Sequence, residues 1–363
     1  MNTFLKDNRR SLKKNIEFYF GRLIGFPLTT PEHVYFSLTN RCNLQCRMCD
    51  IYKNPDSKEN EQSTSEVKAI IAQIKNMSIN HIIFSGGEPL LRHDLLHLVE
   101  FAVAKGIGMV DIITNGTLLN DKSIKKIIKS KLNHITISLD GLGKINDEIR
   151  GKGVFEKAQL NMDKLNYYKA KYAAEFPTLG INFTIMNNNL EHILPIIEFA
   201  RAKKCNILVL QPLLFDNTNM QEKRTNFLWP AEDKIDRLRE IMKEVMKKKN
   251  QLNDLFIYTD EAILKAMPEY FKGHRASPNF KCYEGIKRIV ITADAKVWSC
   301  LGVYGDLKKH ALKKIWFSPA AWKIRRKASQ CREHCLQDCV YFPIDVLKDI
   351  NNFIQQILNS RRQ

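Results

Sequence analysis

Phe36-Ser37-Leu38-Thr39-Asn40-Arg41-Cys42-Asn43-Leu44-Gln45-Cys46-Arg47-Met48-Cys49-Asp50-Ile51-Tyr52 places three cysteines in a C-x3-C-x2-C array directly after the apolar run Val34–Leu38. Three thiolates this close in sequence can grip one soft-metal centre. A 4Fe–4S cluster ordinarily takes four cysteines, so the array leaves one iron without a protein ligand. An open iron is a place for a small molecule to bind, and the rest of the chain must supply that molecule's site.

The chain has 363 residues, enough for one large domain plus a smaller one around a sizeable core. Its 44% apolar and 26% charged residues match a soluble globular protein. No uninterrupted apolar stretch approaches the ~18 residues of a membrane span. The N-terminus is basic but lacks the apolar core and cleavage site of a secretory signal, so the expected location is cytoplasmic. Nine cysteines in a cytosolic chain read as metal ligands or redox groups before disulfides. Eight fall into two groups: Cys42, Cys46 and Cys49, then Cys282, Cys300, Cys331, Cys335 and Cys339. Cys205 stands alone beside Ile207–Leu210 and reads as a small core residue.

Lys+Arg minus Asp+Glu is 57 − 39 = +18. Such an excess suits nucleic acid, a membrane surface or a phosphorylated substrate. The basic residues are spread along the chain with few aromatics among them, which favours a solvated surface, its charge partly offset by anionic clusters.

Residues 4–24 carry Leu5, Leu12, Ile16, Tyr19 and Leu23 at helical spacing, with Lys and Arg around the rest of the turn. A basic amphipathic helix of this kind packs over the bottom of the following domain, and its pattern also permits peripheral contact with an anionic membrane. From there short apolar strands alternate with helical stretches. The strands are Val34–Leu38, Ile82–Phe84, Met109–Thr114, Ile135–Leu139, Leu179–Ile185 and Ile207–Leu210. Ser63-Thr64-Ser65-Glu66 is a capping box ahead of one helix, and Asn120 can cap another.

Six βα repeats with short loops imply a parallel sheet with helices outside it. Nearly all polar signatures follow a strand: Cys42–Cys49, Gly86–Pro89, Thr114–Gly116, Ser138–Gly141 and Gln211-Pro212. One rim therefore carries the chemistry, as in barrels whose sites lie at the C-terminal strand ends. The expected fold is α/β: a partial (β/α)6 TIM-type barrel with a small C-terminal cysteine-rich domain. The expected division is a helix over 1–30, the barrel over 31–215, a helical connector over 216–275, an auxiliary-cluster domain over 276–345 and a last helix over 346–363. Within the fourth segment, Arg288–Thr292 and Lys296–Trp298 read as a β-hairpin between Cys282 and Cys300.

With these residues assembled, the chain resembles the radical S-adenosylmethionine (SAM) superfamily over about residues 32–215. The resemblance rests on C-x3-C-x-φ-C, with Met48 as the apolar φ residue, and on Gly86-Gly87-Glu88-Pro89 after the second strand. It implies that SAM chelates the iron that Cys42, Cys46 and Cys49 leave open. Gly86 and Gly87 would let the backbone approach the methionyl group closely, and Glu88 would accept from its ammonium. Asn115, Ser138 and Asp140 lie where the family contacts the ribose and sulfonium regions. For Asn115 and Asp140, turn chemistry before glycine is the alternative role. Arg150 resembles the arginine that pairs with the SAM carboxylate. The implied chemistry is reductive cleavage of SAM to a 5′-deoxyadenosyl radical that abstracts a hydrogen atom from the substrate.

The C-terminal third resembles the SPASM or shorter twitch extension of that superfamily. Ala295 departs from it, standing where glycine is usual, five residues before Cys300. Five cysteines are too few for two clusters, so the expectation is one auxiliary 4Fe–4S cluster on Cys282, Cys300 and two of Cys331, Cys335 and Cys339. A tetrahedral zinc site is the alternative.

The implied protein is an oxidoreductase or maturase-type enzyme performing a net oxidation or rearrangement, supplied by an electron donor such as flavodoxin or ferredoxin. About 30 residues precede the barrel, short for a leader-binding domain, which tilts the expectation towards a small, carbohydrate-like substrate or a separately delivered peptide. An RNA-modifying radical SAM enzyme and a non-catalytic iron–sulfur redox sensor are the alternatives. No separate RNA-binding module is visible, and Gly86–Pro89 speaks against the sensor.

Overall fold

Alternation within the first strand decides which way the sheet faces. In β1 (His33–Thr39), Val34, Phe36 and Leu38 are buried while His33, Tyr35 and Ser37 are only partly covered. A strand places successive side chains on opposite faces, so one face meets helices and the other a lumen. The computed structural model describes residues 2–53, 61–214, 226–273, 281–331, 335–337 and 341–342, with side chains described from 13 to 337 within these.

β2 (His81–Gly86), β3 (Met109–Thr114), β4 (His134–Ser138), β5 (Thr178–Ile185) and β6 (Ile207–Pro212) follow β1 in order, each parallel to its neighbour. Between them run α2 (Thr64–Asn76), α3 (Leu95–Ala104), α4 (Asp121–Lys129), α5 (Lys144–Arg150), α6 (Val154–Lys171) and α7 (Ile193–Ala202). α2 starts where its capping box dictates: Glu66 N–H donates to Ser63 Oγ, and the Glu66 carboxylate accepts from Ser63 N–H at 2.7 Å. Its apolar stripe, Val67, Ile70, Ile71 and Ile74, joins Val34, Phe36 and Phe84 in one continuous core. Cys205 lies in this core, 1% exposed, where burial pushes its thiol up to about 12. It is a packing residue.

Two features depart from the sequence reading. The segment after the barrel is not only helical. Beyond α8 (Ile235–Gln251), β7 (Phe256–Ile257) pairs parallel with β6 and precedes α9 (Glu261–Phe271). Two residues are too few to show a period-2 pattern. The C-terminal hairpin also does not stand apart from the barrel. β9 (Arg288–Ile291) pairs parallel with β1, from His33 opposite Arg288 to Phe36 opposite Ile291. β10 (Lys296–Ser299) and β11 (Gly302–Asp306) extend that edge antiparallel. The sheet therefore runs β11-β10-β9-β1-β2-β3-β4-β5-β6-β7, and among the described residues no pairing closes it. A separate pair, β8 (Lys281–Cys282) with β12 (Tyr341–Phe342), lies beside α11 (Pro319–Gln330), which follows α10 (Leu312–Trp316).

At the tip between β9 and β10, Ala295 has φ +70° and donates its N–H to Thr292 O at 3.0 Å. That left-handed geometry is what glycine adopts without penalty, so the departure noted in the sequence is a strained alanine holding the same turn.

α1 (Asn2–Ile24) packs against α11 in the C-terminal part, with Lys287, just before β9, lying over the Phe18 ring. Phe18 is fully buried with Tyr283 and Ile286 in a small core of their own. Arg22 donates from Nε to Cys282 O at 2.9 Å and from Nη2 to Ser329 O at 2.6 Å. The expected final helix over 346–363 lies outside the described residues.

Candidate functional site

The end of β1 and the loop after β2 are built against each other. Gly87 N–H donates to Thr39 O at 2.7 Å and Glu88 N–H to Arg41 O at 2.8 Å. A Cβ on Gly86, where φ is +126°, would lie 2.2 Å from Thr39 O, and one on Gly87 2.2 Å from Arg41 O. Both glycines are therefore demanded by the close passage of the cysteine loop's backbone. Their conformation presents the same backbone to a cavity on the other side.

Glu88 does not reach that cavity. It is fully buried, accepting from Thr114 Oγ1 at 2.7 Å, Leu90 N–H at 3.0 Å and Asn115 N–H at 2.8 Å. Burial raises its pKa, opposed by those three bonds. The sequence reading gave this carboxylate to an incoming ammonium. The structure uses it to tie the glycine loop to the end of β3.

The cavity, about 290 Å³, opens at the C-terminal strand ends. Cys42, Cys46, Cys49 and Met48 line one end of it. The loop holds its shape through Cys49 N–H to Cys46 O at 3.0 Å and Arg47 N–H to Ile149 O at 2.9 Å. Burial pushes the Cys46 thiol up to about 11, with Arg150 pulling the other way. Cys42 is raised too, by burial, against a bond from Leu44 N–H. Among the described residues no three His, Cys, Asp or Glu side chains converge on one metal ion. A cluster asks something different, since it takes each thiolate on a separate iron.

Arg150 and Asp140, read from sequence as two separate contacts to a bound molecule, face each other. Arg150 Nε lies 2.7 Å from Asp140 Oδ2, with Asp140 fully buried and Arg150 nearly so. The carboxylate also accepts from Thr184 N–H at 2.8 Å through Oδ1. Asp140 does not line the cavity, whereas Arg150 does. Asn115 and Ser138 line it as well. The Asn115 amide is already engaged, donating to Asn43 Oδ1 at 2.9 Å and accepting from Thr117.

The wall opposite the cysteines was not singled out from sequence, apart from Gln211-Pro212 at the rim. It consists of Asn182 and Thr184 on β5, Gln211 on β6, and apolar Ile113, Leu213 and Leu214. Gln211 Nε2 donates to Thr184 Oγ1 at 3.1 Å. Asn182 Oδ1 is buried with no protein partner and borders the cavity. The available signal was parity: Asn182 and Gln211 stand on the lumen side of strands whose other face is wholly apolar.

These observations test whether the chain can hold a cluster and SAM. Three cysteines at one end, a backbone cradle at Gly86–Gly87 and an unsatisfied buried acceptor at Asn182 fit that pair of groups. Cys42, Cys46 and Cys49 would hold the cluster, with the Gly86–Gly87 backbone, Met48, Asn115 and Ser138 around the small molecule.

In the C-terminal part, Cys282 lies on β8 and Cys331 caps α11. Arg22 bonds the backbone on both sides, at Cys282 and Ser329. Burial raises the Cys282 thiol, and Cys335 and Cys300 are near enough to add to it. Cys339 lies outside the described residues.

Residues 36–200 match the family model of the radical SAM superfamily, and residues 282–339 match SPASM, an iron–sulfur cluster-binding domain. The Fe-coproporphyrin III synthase of Methanosarcina barkeri is 35% identical over 185 residues, 51% of this chain and 44% of its own. The mycofactocin maturase MftC of Mycolicibacterium smegmatis is 30% identical over 167 residues, 46% of this chain and 41% of its own. The matched segments thus span less than half the length of those two relatives. Streptococcus suis SuiB bound to S-adenosylmethionine shares the fold with a TM-score of 0.66 at 18% identity, over 82% of this chain and 68% of its own. The chain thus carries a radical SAM domain over residues 36–200, its cysteine-bearing barrel joined to a C-terminal SPASM iron–sulfur cluster-binding domain over residues 282–339.

Proposed function

We propose that this chain is a radical SAM enzyme acting on a neutral, amide-bearing substrate, a peptide before other classes. The observation that carries this reading is the uncharged wall facing the cysteines: Asn182, Thr184 and Gln211 supply amides and a hydroxyl. The one cation among the described lining residues, Arg150, is already neutralised by Asp140. A tetrapyrrole carboxylate or a nucleotide phosphate would call for a free cation there. Peptide groups instead present one donor and one acceptor per residue, which amide and hydroxyl side chains match. The precursor-peptide complex of SuiB, 15% identical with a TM-score of 0.61, shows a peptide accommodated by a protein of the same fold.

When bound, the cluster and SAM supply hydrogen-atom abstraction from an unactivated carbon, chemistry that side chains lack. The chain's own residues hold and shield. Ile113, Leu213 and Leu214 keep one side of the cavity apolar, which limits water at the reacting carbon. Asn182 Oδ1 offers an acceptor to a substrate or ribose N–H or O–H. Asp140 fixes the Arg150 guanidinium beside Cys46, where its positive charge favours the thiolate that iron requires. The SPASM cysteines would hold the auxiliary cluster, which suits a net oxidation.

The test is isotopic. Reduced, anaerobically reconstituted protein should release 5′-deoxyadenosine from SAM, and Cys46→Ala should abolish this. About eight irons per chain are expected from two four-iron clusters, against about four were the distal cysteines to hold zinc. Deuterium should pass into 5′-deoxyadenosine from a deuterated peptide pool. Transfer from a deuterated carbohydrate pool alone would overturn the peptide reading and leave the superfamily chemistry standing.

A further inference from the structure

The face of α1 opposite Phe18 is apolar and open. Phe20, Leu23 and Ile24 are about half exposed, and just beyond the helix so are Phe26 and Leu28. The patch continues onto the SPASM side. Phe26 meets Phe317 with ring centroids 5.4 Å apart, and Trp322 lies against Gly25. Leu28, Phe317 and Lys313 share a shallow groove of about 260 Å³. Scattered exposed apolar residues need no explanation, but contiguous ones mark contact surfaces.

Charge narrows the kind of contact. From Leu307 to Cys331 the chain has no Asp or Glu. Lys313, Lys314, Lys323, Arg326 and Lys327 are all exposed there. Arg326 sits over the Trp322 ring, 5.1 Å from its centroid. On the outer side of α1, Glu17 is paired with Lys13 at 3.7 Å. An apolar centre with a half-exposed tryptophan and a cationic rim matches an anionic lipid surface, which takes aromatic and aliphatic side chains at headgroup depth and attracts lysine and arginine.

We propose that this chain docks peripherally on anionic membranes through the outer face of α1, the segment Phe26–Leu28 and the exposed side of α11. The site lies on α1 and the C-terminal part, so the proposal is independent of the substrate reading. The full-length protein with its iron is mixed with vesicles of phosphatidylcholine alone or with a quarter phosphatidylglycerol, and co-sedimentation is measured. Binding should require the anionic lipid and should fade at 1 M salt, where screening shortens to about 3 Å. Each cation near the surface contributes about fivefold, so Lys323→Gln with Arg326→Gln should weaken binding about 30-fold. Trp322 emission should shift to the blue on binding, and Trp322→Phe should remove the shift. Leu23→Ser with Phe317→Ser should abolish binding while retaining iron content, which guards against misfolding. Equal binding to neutral vesicles, no binding to anionic ones, or indifference to both pairs of substitutions would overturn the proposal. So would a dimer in lipid-free solution that Leu23→Ser with Phe317→Ser dissociates, since the face would then belong to a second copy.

Discussion

Asp140→Asn separates two accounts of Arg150. In the structure the guanidinium and carboxylate lie 2.7 Å apart with side chains 9% and 0% exposed, so neither charge has water to fall back on. Removing one partner of a buried pair leaves the other uncompensated, at a cost of about 3–5 kcal/mol. Asparagine is nearly isosteric, and its oxygen can keep the bond from Thr184 N–H. Its NH2 then replaces the carboxylate oxygen that lies 2.7 Å from Arg150 Nε, leaving the guanidinium without its counter-charge. No packing is lost, so the penalty should be electrostatic and lie in that range. Urea denaturation under anaerobic, reducing conditions should show it. Arg150→Met should cost a similar amount, because it strands the carboxylate instead. Asp140→Leu combined with Arg150→Met should cost clearly less than the sum of the two single changes, a coupling readable from a double-mutant cycle. The reasoning fails if Asp140→Asn costs less than about 1 kcal/mol while Arg150→Met leaves stability intact and weakens only SAM binding. Arg150 would then answer to the SAM carboxylate, the role its sequence context implies, and not to Asp140.

Three further outcomes are expected. Gly87→Ala drives a methyl into Arg41 O, 2.2 Å away with backbone on both sides. Overpacking of this kind costs about 1–3 kcal/mol, and displacement of the cysteine loop should appear as a loss of about four irons with the distal cluster retained. Ala295→Val should destabilise by about 2 kcal/mol or more in thermal unfolding, since a β-branched residue at φ +70° is strained and this one is buried, whereas Ala295→Gly should be nearly neutral. Burial raises the Asp94 carboxyl, but bonds from Arg92 and Thr64 outweigh it and bring it from 3.8 to about 2. A depressed carboxylate stabilises the fold above its unfolded pKa, and that stability is lost as pH falls through the folded value. About 2.5 kcal/mol should therefore disappear between pH 5 and pH 1, a slope that Asp94→Asn should lack.

What was legible in the sequence was local. The cysteine array, the capping box at Ser63–Glu66 and the glycine pair each act within a few residues, and Met48, Gly86, Gly87, Asn115, Ser138 and Arg150 all border the cavity. Glu88 and Asp140 do not, because a buried carboxylate must find partners and both found them inside the protein. Nothing near Asp140 in sequence announces that its partner is ten residues on, across the turn into α5. Asn182 and Gln211 looked like ordinary alternation until the sheet curved their faces together. Long-range pairing was the least legible. His33 and Arg288 are neighbours across the sheet with no local signal at either end.

That pairing bears on how the two sets of cysteines are held relative to each other. β1 runs straight into Cys42, and β9, hydrogen-bonded beside it, leads into the hairpin that carries Cys300. Adjacent strands lie about 4.8 Å apart, so sheet geometry sets the spacing of the two units where a linker would let it vary. Buried polar contacts lock the joint. Gln62 bonds Thr292 O and Ala293 O on the hairpin, while Arg92 donates to Gln62 O at 2.8 Å and Leu38 O at 3.2 Å and pairs with Asp94. Arg22 closes the far side by holding Cys282 to the end of α11. An alternative arrangement would strand the Gln62 amide donor and the Arg92–Asp94 charges, although Gln62 Oε1 itself has no protein partner. The spacing of Cys42 and Cys300 is thus tied to one continuous sheet, while Cys282, on the separate β8–β12 pair, is held through its backbone by Arg22.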